Sequence, residues 1–254
     1  MCSLMARADE GMWMLSHINP KTAETMKSLG LTLTPEELYN PNGRSLKDAV
    51  INLGDFCSGV VVSPEGLFFT NHHCGYGAIQ ALSTPEDDIL KNGFVAKKRE
   101  QERPAHGLYV RFLQKVEDCT EQVNTELARL YKEKAPKMDS AQVEAYYTDS
   151  ICMALEDKLD NLNPDMECRV ASYYGGNAFY ANFYKVYNDI RLVFTATETL
   201  GKFGGDTDNW MWPRHTCDFS VFRIYADANG EPAEYSENNV PLKVKKHLAI
   251  SLKG

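Results

Sequence analysis

No apolar run in the 254 residues approaches the roughly 20 that a membrane-spanning helix needs, which excludes a helical membrane bundle. Basic charge is scarce. The 27 Lys and Arg stand against 35 Asp and Glu, for a formal net charge of −8. A surface of that sign repels a phosphate backbone, so nucleic acid is not an expected partner. Internal repeats and low-complexity tracts are missing, and 43% hydrophobic with 24% charged residues is the composition of a folded domain. A disordered or collagen-like chain is thereby excluded. Cys-x-x-Cys pairs are missing too, which argues against a zinc ribbon or a thioredoxin-like site.

What the chain does have is seven cysteines: Cys2, Cys57, Cys74, Cys119, Cys152, Cys168 and Cys217. Well-separated single cysteines fit disulfides in an oxidising compartment. The odd count is accounted for if Cys2 belongs to a removed segment. MCSLMARADEG at the start reads as the tail of a secretory signal, with residues 1–8 as its remnant. A cytosolic start with a buried free cysteine is the alternative. The expected setting is therefore secreted, periplasmic or cell-surface.

Along the chain, residues 9–30 have apolar residues at helical spacing, with Gly30 as a stop. Turn residues dominate 31–48. Short β-like runs follow at 49–53, 57–62, 66–70 and 108–112, with Ser63-Pro64-Glu65-Gly66 as a hairpin turn. Residues 120–161 switch to a helical excursion, where Val123, Leu127 and Leu130 fall on one face. β-like runs return at 169–174, 178–187, 190–196, 219–225 and 248–252. Mainly β structure with helical excursions is expected, in a barrel or sandwich whose sheet continues past residue 254.

Two segments carry chemistry. In the first, Cys57 to Cys74, an apolar hairpin ends in Thr70-Asn71-His72-His73-Cys74. A Cys57–Cys74 bridge closing this loop would stabilise it by roughly 3 kcal/mol and fix the residue beside Cys74. A histidine so held at a strand end is a proton shuttle of fixed position. A second bridge, Cys152–Cys168, would tie the second helix to the following strand. The other segment, Gly201 to Phe222, packs Asp206, Asp208, Asn209, Trp210, Trp212 and His215 into one loop that enters a strand at Asp218. Ordering such a loop is costly unless it binds something. An acid at the mouth of a strand can receive a histidine Nδ1–H and fix its tautomer. Asp206 and Asp208 read more simply as turn chemistry.

TNHHCGYGAIQ at 70–80 and GKFGGDTDNWMWPRHT at 201–216, with ADEGMW at 8–13 and YNPNGRSLKDAV at 39–50, resemble the bacterial dipeptidyl-peptidases of types 7 and 11, peptidase family S46. The wording at 75–84 and 203–212 is closer to type 7. This resemblance implies the first barrel of a chymotrypsin-like double-barrel serine peptidase, incomplete here, and a Ser-His-Asp triad. It places the triad histidine on His73, the aspartate on Asp218, and the residues holding the substrate's free α-amino group on Asn209 and Trp210. It further implies an oligopeptide substrate, a homodimer in the full-length enzyme, and neither cofactor nor metal. The family has Gly where this chain has Cys217, and a Cys119–Cys217 pair is one way to use the two unusual thiols. The family's Gly-Asn-Ser-Gly-Ser-Pro-like nucleophile segment does not occur in the sequence, and neither does Gly-x-Ser-x-Gly. An N-terminal portion at 9–254, bearing His and Asp without the Ser barrel and inactive alone, is the leading expectation.

Two rivals differ in class. One is a non-catalytic peptide-binding module built on the aromatic loop. The other is a metal hydrolase using His72, His73, His215 and an Asp. It is disfavoured because neighbouring residues of a strand face opposite sides.

Overall fold

The computed structural model describes residues 13–134, 140–213 and 215–251. The signal remnant at 1–8, which includes Cys2, and residue 252 at the end of the expected terminal strand lie outside them. Two short helices come first, α1 (Pro20–Ser28) and α2 (Pro35–Leu38), each with Pro in its first turn behind a capping side chain. Asn19 caps α1, and Thr34 and Glu37 exchange hydrogen bonds in a capping box on α2.

Eleven strands then form one antiparallel sheet. They are β1 (Val50–Leu53), β2 (Cys57–Val61), β3 (Leu67–Thr70), β4 (Phe94–Val95), β5 (Arg103–Pro104), β6 (Val110–Asp118), β7 (Glu167–Tyr173), β8 (Ala178–Tyr187), β9 (Asp189–Thr195), β10 (Ser220–Ala226) and β11 (Val240–Pro241). The strand path is β4-β9-β10-β3-β2-β1-β6-β8-β7, with β5 added to β9 and β11 to β10. It is an open path: among the described residues β4 and β7 stand at its two ends and do not pair with each other. Residues 248–251 form no strand, contrary to expectation. A backbone bond from Leu248 N to Val61 O, 2.9 Å, ties that stretch to β2.

The helical excursion comprises α5 (Thr120–Lys134) and α6 (Ser140–Leu162), after α3 (His72–Leu82) and α4 (Ile89–Asn92). Two more one-turn helices, α7 (Glu198–Gly201) and α8 (Gly205–Asp208), lie in the loop between β9 and β10. The apolar residues divide into two cores. Ile51, Leu53, Val61, Phe68, Ile79, Val110, Leu192, Phe222 and Ile224 form one, between the sheet and α3. Val123, Ile151, Phe179, Ala181 and Phe183 form the other, where α5 and α6 cover β7 and β8.

Register places the chemistry. Strand β3 runs antiparallel to β10, with Thr70 opposite Ser220. The chain leaving β3 therefore passes the chain entering β10, and residues 71–73 meet residue 218 across that junction.

Candidate active site

Strand β3 stops at Thr70, and α3 starts at His72 with Asn71 as its N-cap. The two histidines thus sit in the first turn of a helix and not on a strand, as the sequence reading had them. They still diverge, about 100° apart around the helix axis. His73 is the open one, with 45% of its side chain exposed, while Asp218 keeps only 8%. His73 Nδ1 lies 2.8 Å from Asp218 Oδ2 across 145 positions of sequence. The His73 backbone N–H donates to Asp218 Oδ1 at 3.1 Å. Asn209 Nδ2 donates to Oδ2 at 2.9 Å, and Asn71 Nδ2 donates to the same oxygen at 3.0 Å.

The carboxylate is therefore surrounded by N–H donors. Burial pushes the Asp218 carboxyl up. Hydrogen bonds from Asn209 and from the backbone and ring of His73 outweigh it, and the group lies below the ordinary carboxylate value of 3.8. An ionised Asp218 holds the Nδ1–H tautomer of His73 and directs Nε2 outward as an acceptor. Among the described residues, the His73 ring hydrogen-bonds to Asp218 and to no serine hydroxyl.

A Cys57–Cys74 disulfide, Cα to Cα 6.1 Å, fastens the first turn of α3 to the start of β2. Both sulfur atoms and a ring nitrogen of His73 lie within 4.8 Å of one another. That is metal-ligand spacing, but the sulfurs are committed to their own bond. The second expected bridge is absent. Cys152 and Cys168 are free thiols, buried with Cys119 in the core under α5 and α6, and Cys217 is free as well, so Cys119 and Cys217 do not pair.

His72 turns inward and is fully buried. Its Nδ1 lies 3.1 Å from the Thr195 hydroxyl, which is also 3.1 Å from Ala196 O. Burial lowers its pKa below the ordinary 6.5, against the pull of Asp218 and Glu198. The His215 ring lies 5.8 Å from that of Phe203, and among the described residues neither it nor His72 joins His73 in a group close enough to hold a metal. Asp208 is exposed and folds over Gly204, a glycine at φ +69°, as a turn residue does. The side chain of Asp206 is outside what the structure describes.

The sequence of the whole described region matches the Peptidase S46 family over residues 8–254. The chain belongs to peptidase family S46. It is 49% identical to a dipeptidyl-peptidase 7 of Phocaeicola vulgatus, covering 99% of this chain and 34% of that protein. With an Asp/Glu-specific dipeptidyl-peptidase of Porphyromonas gingivalis it shares 47% identity, over 99% of the chain and 34% of the relative. The crystal structure of Porphyromonas endodontalis DPP11 in complex with the dipeptide Arg-Asp superposes with a TM-score of 0.84 at 42% identity, over 97% of this chain and 35% of that one. The S46 chain in hand thus spans about a third of the length of the relatives it matches.

Of Asn209 and Trp210, Asn209 reaches the His73–Asp218 pair, through its bond to Asp218. Asn209 is 9% exposed and its sequence neighbour Trp210 is 71% exposed. Met211 and Trp212, the next two residues, are exposed as well. Sequence reasoning missed Asn71 altogether. Its only local sign is an asparagine two positions before a histidine.

Proposed function

We propose that this chain carries the His and Asp of a serine-type dipeptidyl aminopeptidase that releases dipeptides from the free N-terminus of oligopeptides. The observation that carries the reading is the 2.8 Å contact between His73 Nδ1 and Asp218 Oδ2 in a chain of the S46 family. His73 acts as general base, taking the proton of a serine hydroxyl on Nε2, and then as general acid, returning it to the leaving amine. Asp218 orients the ring and stabilises the imidazolium.

Asn209 and Trp210 hold the substrate's α-ammonium. An asparagine amide oxygen can accept from an ammonium, and the exposed Trp210 indole has a face suited to a cation–π contact. A trypsin-like first barrel goes with this reading, supported by the β2–β3 hairpin that ends at the histidine and by β10 returning beside it. Secretion fits the disulfide.

The serine comes from sequence outside the 254 residues. The purified chain is therefore expected to fold and to show no turnover of dipeptidyl substrates. A polypeptide that adds a serine-bearing segment is expected to show it, and His73→Ala is expected to abolish it. Turnover by residues 1–254 alone, blocked by a serine-directed inhibitor, would mean the nucleophile lies within the chain. Peptide binding by the longer polypeptide without turnover would favour a binding module.

A further inference from the structure

The N-cap of α3 is filled in an unusual way. Asparagine is among the preferred N-cap residues because its side-chain oxygen accepts a hydrogen bond from the first turn of the helix. Asn71 occupies the N-cap, yet its side chain makes no such bond. The Cys74 and Gly75 N–H groups go to its backbone carbonyl, each at 3.2 Å. The His73 N–H, the orphan donor that a capping side chain would take, goes instead to Asp218 Oδ1 at 3.1 Å. A carboxylate from the other side of the junction thus caps this helix, at the end where its dipole favours negative charge. The Asn71 amide is turned toward that carboxylate. Its Nδ2 donates to Asp218 Oδ2 at 3.0 Å and lies 3.3 Å from the Asp218 backbone carbonyl. An NH₂ group has two hydrogens, one for each oxygen. Gripping both the side chain and the main chain of one residue fixes the side-chain torsions between them.

We propose that Asn71 is the positioning residue of the His73–Asp218 pair, exchanging its own capping role for a two-point grip on Asp218. This inference rests on the reading of that pair as the catalytic base and its orienter.

Helix capping and positioning make opposite forecasts for substitutions. As a cap, Asp or Ser serves about as well as Asn. As a grip, Ser is too short to reach both oxygens. Asp replaces a donor with a second anion against Asp218 and should be the most disruptive. The first readout is the low-field imidazole N–H proton of His73, followed by NMR in the 254-residue chain. Asn71→Asp and Asn71→Ser should shift or broaden it. The second is kinetics in the serine-bearing enzyme, where kcat should fall on the order of 10–100-fold for Asn71→Asp and less for Asn71→Ser, with KM nearly unchanged. Should Asn71→Asp not fold, Asn71→Ser, a competent cap, carries the test. A wild-type resonance and wild-type kcat in a folded Asn71→Ser or Asn71→Asp variant would overturn the proposal. A serine-bearing wild type without turnover would count against the peptidase reading only, since the imidazole proton reports on Asn71 without catalysis.

Discussion

At Asp218, burial and hydrogen bonding oppose each other, and the hydrogen bonds prevail. A carboxylate 8% exposed would ordinarily rise in pKa, but here its oxygens accept from Asn71, Asn209 and both nitrogens of His73 that face it. Asp218→Asn keeps the shape and reverses the donor at the position facing Nδ1. In the serine-bearing enzyme it should lower kcat by on the order of 10⁴, because the amide favours the wrong imidazole tautomer. Asp208→Asn, on an exposed turn residue, should change kcat by less than about threefold, within the range of ordinary surface substitutions. Steady-state kinetics of the two variants side by side decides between them, and equal losses would displace Asp218 from its role. His73 and Asp218 were legible because each lies in an unusual string of residues. Asn71 was not, since a hydrogen bond across 147 positions leaves no local pattern in the chain.

The element that decides the site is α3, and the sequence pointed to a strand end there. Gly75 and Gly77 depress helix propensity in its first half. Tertiary packing overrides them: a Cβ on Gly75 would come within 3.0 Å of the Phe222 ring, so the glycine lets the helix lie close on β10. His72 does similar work on the other side. A Cβ on Gly201 would stand 2.6 Å from the His72 ring, so α7, and with it the start of the loop bearing Asn209, rests directly on that imidazole. Gly201→Ala should destabilise the fold by about 1–3 kcal/mol, read as a lower denaturant midpoint. The buried His72 also makes stability depend on pH. Its pKa is lower folded than unfolded, so below the ordinary 6.5 the unfolded chain binds the extra proton and stability drops as pH falls toward the folded value. His72→Gln should flatten the dependence of the melting temperature on pH in that window, while above pH 7 the two proteins should show parallel profiles.

For the molecule as a whole, the strands that position the dyad and the strands that carry α5 and α6 share one sheet but not one core. The strands β7 to β10 and both long helices were legible in the sequence, while β6 (Val110–Asp118) was read only as far as residue 112. The two-residue strands β4, β5 and β11 and the one-turn helices were not, because they are too short to show a period and exist through their neighbours. Cysteine spacing misled for the second core. Cys152 and Cys168 look poised to bridge helix to strand, but the structure uses them with Cys119 as small buried hydrophobes. Burial pushes the Cys119 thiol up to about 11 and the Cys168 thiol to about 12, so neither is a thiolate near neutral pH. They therefore report on the opening of this core. In a Cys2→Ser, Cys217→Ser background, thiol reagents at pH 8 should leave Cys119, Cys152 and Cys168 unlabelled until the protein unfolds. Phe183→Ala removes a fully buried ring from the same core and should cost about 3–5 kcal/mol. Labelling should then accelerate in proportion to the unfolded or locally opened population, while the His73 imidazole proton keeps its wild-type position in the folded fraction. Rapid labelling of the native background protein would show that the second core is not closed, and a displaced His73 proton in Phe183→Ala would show that the shared sheet couples the two cores after all.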